Sequence, residues 1–150
     1  MFIKQILHDQ FIQSWYSNIN NSSRDHFYSL YKTDFALEKY SVNLKKWLRI
    51  QISKLRCSNV KFPIETGQWA GTPRIERICC VLYNNGSIGD ALHYLYICQK
   101  EQIQRLRAKF ITSYYFNNPC ENKLNETLSI CNKTVLNNVA IFIGKICKLL

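Results

Sequence analysis

The feature that most constrains this chain is a spacing near its middle. Cys80, Tyr83, His93 and Cys98 follow the pattern Cys-x2-Tyr-x9-His-x4-Cys, which is a short metal-knuckle spacing with tyrosine in the second ligand slot. Such a segment folds as a small hairpin, turning here at Asn84-Asn85-Gly86, followed by a short helix capped by Asp90. A bound ion would join the two, because so few residues cannot bury enough apolar surface to hold themselves together. Zinc is the expected ion, with Cys80, His93 and Cys98 as ligands and Cys79 as a substitute for Cys80 after a one-residue shift. His93 and Cys98 are five residues apart, about 140° around an ideal helix. They share an ion only if the helix ends or tightens before Cys98. The alternative is an ordinary partly buried histidine beside a core thiol.

The surrounding pattern is helical. Ile3, Ile6, Leu7, Phe11, Trp15 and Ile19 recur at three- and four-residue steps, which predicts an amphipathic helix over 3–19. Ser23 can cap a short second helix carrying Phe27, Leu30 and Tyr31. Ser41 can cap a third over about 42–55, with Leu44, Trp47, Leu48, Ile52 and Leu55 inward. From Cys57 to Pro73 the periodicity is lost, and Pro63, Gly67, Gly71 and Pro73 suggest loop or extended chain. Further helices are expected over 99–110, about 121–131 and about 134–149. The fold class is therefore mainly α: a single helical domain over 1–150 with one small β-hairpin near the middle. Its parts are N-terminal helices (1–56), a loop and knuckle (57–98) and C-terminal helices (99–150).

Charge narrows the partners. The chain of 150 residues has 20 basic and 10 acidic side chains, a formal charge of +10, which favours a polyanion, nucleic acid before membrane. Lys45, Lys46, Arg49, Lys54, Arg56 and Lys61 form a stripe with no acidic residue from Val42 to Ile64, and Arg105, Arg107 and Lys109 form a second. Each is either a solvated face or a phosphate-contacting surface. Tyr94, Tyr96 and Trp69 are candidates to stack on unpaired bases, two of the three being expected in the core.

Catalysis is not expected. The four aspartates, Asp9, Asp25, Asp34 and Asp90, fall in different elements, so no paired carboxylates are available for two-metal chemistry, and no phosphate-cradling glycine loop is present. A thiol enzyme built on His93 would lack an orienting third group. The start of the chain does not read as a secretory signal, so the seven cysteines are expected to be reduced, in cytosol or nucleus. Sequons at Asn20, Asn21, Asn125 and Asn132 would then be silent, and the apolar run 139–143 is too short to span a bilayer.

Three stretches resemble a known family. They are Leu55-Arg56 with Ile64-Glu65-Thr66-Gly67-Gln68-Trp69, Arg77-Ile78-Cys79, and Ile88-Gly89-Asp90-Ala91-Leu92-His93-Tyr94-Leu95 through Cys98. Together they resemble the segment that follows the polymerase domain in invertebrate non-LTR (LINE-type) retrotransposon reverse transcriptases. The likeness covers most of the chain and is most specific over 54–98. It implies a post-polymerase module with a zinc knuckle that helps to hold template RNA or target DNA, with Cys80 or Cys79, His93 and Cys98 matching ligand positions. The second ligand cysteine is absent, Ala91 replaces an acidic residue, and Gln68 replaces an arginine. A fragment or remnant of an element, beginning downstream of the polymerase and without its catalytic aspartates, fits these departures. The competing expectation is a helical interaction or structural protein with neither nucleic acid nor metal. Oligomeric state is not specified by the sequence.

Overall fold

The computed structural model describes residues 2–21, 28–29, 32, 34–79 and 86–150, and over these the chain is mainly helical. Strand pairing among them is confined to one antiparallel bridge between Ile78 and Ile88. The helices are α1 (Phe2–Asn21), α2 (Lys39–Asn43), α3 (Lys46–Arg56), α4 (Pro63–Trp69), α5 (Glu101–Phe110), α6 (Ser113–Phe116), α7 (Glu121–Ser129) and α8 (Lys133–Ile146). A 3-10 turn covers Arg74–Glu76, and a π-helical turn covers His93–Ile97. No described helix is long and apolar enough to cross a membrane.

The centre of the core is α8. Asn132 caps it, its side chain accepting from the amides of Thr134 and Val135. Leu136, Val139, Ala140, Phe142, Ile143 and Ile146 are all buried, a wider apolar surface than one stripe, because α3 packs on one side and α5 on another. Burying each large side chain contributes about 2 kcal/mol. From α3 come Leu48, Ile52 and Leu55, from α5 Ile103, and from α7 Leu124 and Leu128. Below the knuckle, Phe62 stacks on Tyr94 with ring centroids 4.8 Å apart and planes 10° from parallel.

Several expectations are corrected. The helix expected over 42–55 is two helices, because Leu44 and Lys45 are extended. Ser41 does not cap α3; its hydroxyl donates to the carbonyl of Glu38. The break folds α2 back onto α3, where the Tyr40 hydroxyl meets Ser53 at 3.0 Å and the Tyr40 ring lies 4.6 Å from the guanidinium carbon of Arg56. Trp47, expected inward, is 49% exposed. The loop expected over 57–73 contains α4: Pro63 stands at its first turn, where its missing N–H costs nothing. Gly67 sits inside α4 because Arg77 crosses it; a Cβ there would stand 2.6 Å from Arg77 Cγ. Helix α1 forms as expected, but Phe2, Ile3, Ile6, Leu7 and Phe11 are exposed, while Ile19 is buried. Phe11 and Trp15 meet the ring of Phe35 at 5.3 and 5.4 Å. The second helix, expected around Phe27, Leu30 and Tyr31, lies outside the described residues.

The knuckle is seated on α4 through backbone. The amide of Ile64 donates to the carbonyl of Gly89 at 3.1 Å, and the amide of Gly89 donates to the carbonyl of Arg77 at 2.9 Å. A Cβ on Gly89 would meet the Pro63 ring at 2.7–2.9 Å. Gly89→Ala should therefore cost about 1–3 kcal/mol of stability, read as a lower urea midpoint with an unchanged slope.

Candidate metal centre

Two backbone devices bring the candidate ligands together. The bridge at Ile78, extended by the bond from the Cys79 amide to the Ser87 carbonyl (2.8 Å), fixes Cys79 on the first arm of the knuckle. Residues 80–85, with Cys80, Tyr83 and the expected turn, lie outside the described residues; Gly86 is in the left-handed region with φ +69°. On the other side, Asp90 caps the helical segment, its Oδ1 accepting from the His93 amide at 2.8 Å.

The segment widens instead of tightening, and it ends before Cys98. The Cys98 amide donates to the His93 carbonyl, five residues back, at 2.8 Å, and Cys98 itself leaves in an extended conformation. A π turn holds one residue more than an α turn, so it brings positions five apart back toward one face. His93 and Cys98 thus meet on the side where Cys79 stands. One ligand atom from each of Cys79, His93 and Cys98 lies within 4.8 Å of the others, and all three residues are buried. The two sulfurs are 3.7 Å apart.

This geometry suits a tetrahedral ion. Two thiolates on one zinc at about 2.3 Å are separated by about 3.8 Å, close to the observed distance, whereas a disulfide needs about 2.05 Å. Both ring nitrogens of His93 are buried without a hydrogen-bond partner among the described residues, an unfavourable arrangement unless an ion takes one of them. Burial lowers the imidazole pKa, Asp90 partly opposing and Arg107 reinforcing the shift, so the ring favours the neutral form that ligates metals. Two soft sulfurs and an imidazole suit zinc or another soft transition ion rather than magnesium or calcium.

The π turn leaves carbonyls unsatisfied, and Arg107 takes them. Its Nε donates to the carbonyl of Leu95 at 2.7 Å, and its Nη2 to those of Cys98 and Tyr94 at 3.0 and 3.3 Å. The residue is only 5% exposed. Arg107 was expected in a basic nucleic-acid-binding set, and its burial removes it from that surface. Arg56 is likewise corrected: it is 4% exposed, pairs with Glu38 at 2.7 Å and donates to the carbonyl of Leu128. Both arginines follow a core isoleucine by one helical turn (Ile52 to Arg56, Ile103 to Arg107), a signal present in the sequence. The remaining members of the set stay outward. Lys45, Lys46, Lys54, Lys61, Arg105 and Lys109 are exposed. Arg105 pairs with Glu101; Arg49 is half-buried and donates to the Ser41 carbonyl. Of the aromatics, Tyr94 and Tyr96 are core and Trp69 is exposed.

Replacing Arg107 with Met keeps the volume but orphans three buried carbonyls. The loss should be on the order of 3 kcal/mol, read by denaturant unfolding. Arg107→Lys should recover little, since a point charge cannot reproduce the fork, and Lys109→Met on the same helix should be neutral. No protein-family model, no curated protein and no solved structure matches this chain.

Proposed function

We propose that this chain is a zinc-stapled helical module that binds nucleic acid, of the kind that follows the polymerase in non-LTR retrotransposon proteins, and that it has no polymerase chemistry of its own. The observation that carries the reading is the convergence of Cys79, His93 and Cys98 at zinc-like separations where the hairpin arms meet the helix. The resemblance over 54–98 points to His93, Cys98 and either Cys80 or Cys79. The charge of +10 supports a polyanionic partner, and the exposed lysines Lys45, Lys46, Lys54 and Lys61 along and after α3 supply phosphate contacts. When bound, the ion supplies structure and not chemistry: it ties the arm bearing Cys79 to the turn bearing His93 and Cys98. The thiolates it needs belong to a reducing compartment, cytosol or nucleus. A second reading, a helical interaction protein without metal or nucleic acid, draws on the exposed apolar side chains Phe2, Ile3, Ile6, Leu7 and Phe11 of α1.

Metal content separates the two. The full chain purified under reducing conditions should carry one equivalent of zinc, lost in Cys98→Ser and in Cys79→Ser but kept in Cys120→Ser, whose thiol is exposed. Acid should release it, because protons compete for the ligands. A metal-free protein that still unfolds cooperatively would remove the zinc reading.

Nucleic-acid binding is tested through charge. The triple variant Lys45→Glu, Lys46→Glu, Lys54→Glu should lose retention on RNA and DNA at moderate salt. The slope of log affinity against log salt should become shallower by roughly 2 to 3. No retention of the wild type on either polymer would favour the interaction protein, and equal retention by wild type and variant would move the phosphate contacts off α3.

A further inference from the structure

We propose that the groove between the starts of α3 and α8 is a binding site for an unpaired nucleobase, with Trp47 as its stacking platform. This deepens the nucleic-acid reading above and rests on it.

The two helices run side by side in the same direction. Residues 45–48 face 133–141, Gln51 lies against Gly144, and Lys54 is close enough to Cys147 to influence its thiol. At their starts they leave a groove of about 400 Å³ lined by Lys45, Trp47, Lys133, Asn137 and Asn138 over an apolar floor that includes Leu48. That volume is in the range of small-ligand sites, suited to one planar base and not to a duplex. Trp47 is 49% exposed at a position whose helical period points inward. Cζ3 of its ring is 3.9 Å from the place a Cβ would occupy on Gly144, so one edge of the indole lies close to α8.

The chemistry of the lining is selective. A second groove on α3, of about 440 Å³, is bordered by Lys46, Arg49, Ile50 and Lys54. No carboxylate lines either groove, although the chain has 10 acidic against 20 basic side chains. Cations lining the Trp47 groove and the second groove suit a strand whose phosphates flank each base. The Asn137 and Asn138 amides offer both donors and acceptors to a base edge. Indole stacking accepts any base, so the site selects single strands over duplexes without strong sequence preference.

The test uses the full chain under reducing conditions, with a labelled single-stranded oligoadenylate and a duplex of equal length, read by fluorescence anisotropy. Trp47→Ala should weaken single-strand binding by roughly tenfold and leave duplex binding nearly unchanged. Trp47→Phe should recover most of the loss, and Asn137→Asp, which puts a carboxylate in the groove, should weaken binding without lowering thermal stability. Trp69→Ala removes the equally exposed indole on α4 and should weaken binding far less; a larger loss there than at Trp47 would overturn the assignment of the groove. If Trp47→Ala and Asn137→Asp bind the single strand as tightly as wild type while the lysine triple variant does not, the base site is overturned and the nucleic-acid reading stands. If wild type binds neither probe, both fall.

Discussion

The hydrogen bond from the Cys98 amide to the His93 carbonyl is the constraint on which the middle of this structure depends. A regular α-helical turn would set the two side chains well apart around the axis. Closing over five residues instead brings Cys98 back under His93, and with it the second thiol to within 3.7 Å of Cys79. The widening has a cost that must be met locally, since the carbonyls of Tyr94, Leu95 and Cys98 lose helical partners inside a buried region. Arg107 meets it from α5, and Ile103 of the same helix is buried in the core that α8 shares. The geometry of the candidate ligands, the orientation of α5 and the packing on α8 are thus successive consequences of one turn.

Basic composition and basic surface are different properties in this chain. Arg56 and Arg107 are among its 20 basic residues, yet both are structural. Each satisfies buried carbonyls, and Arg56 also carries the ion pair to Glu38 and the cation–π contact with Tyr40. Arginine suits this use because its planar fork serves several acceptors at once and remains charged when buried. Among the described residues the outward positive charge falls instead to lysines and to Arg74 and Arg105, where hydration is retained and long-range attraction to a polyanion is available.

Much of the architecture was legible because apolar periodicity reports burial directly: α5, α7 and α8 fall within a few residues of the expected spans, and the Asp90 cap is where its side chain implied. Two of the three candidate stacking aromatics are core, as expected, although which two was not specified: they are Tyr94 and Tyr96. What escaped the pattern depended on distant partners. Pro63 and Gly67 look like breakers until Arg77 is seen lying across Gly67. The break at Leu44–Lys45 is stabilised by Tyr40 reaching Ser53 and Arg56. A π turn has no local signature in His-Tyr-Leu-Tyr-Ile; of the two conditions the five-residue separation set, the helix ends before Cys98, and it widens instead of tightening. Trp47 followed the inward period of its helix, yet half of it faces solvent on the groove between α3 and α8. Spacing left two choices for the first ligand; Cys79 is in the cluster, and Cys80 is outside the described residues.

The reach of Arg107 also limits how the knuckle can be treated as a part. The ligand-bearing segment ends at Cys98, but the guanidinium that closes its turn arrives nine residues later, on a helix that needs α8 to bury Ile103. A peptide cut at Cys98 would keep every candidate ligand and lose the group that holds two of them in register. Grafted into another scaffold, the same residues would relax toward an ordinary helix. The smallest transferable unit therefore extends at least through α5, and the site belongs to the tertiary fold rather than to its own sequence motif.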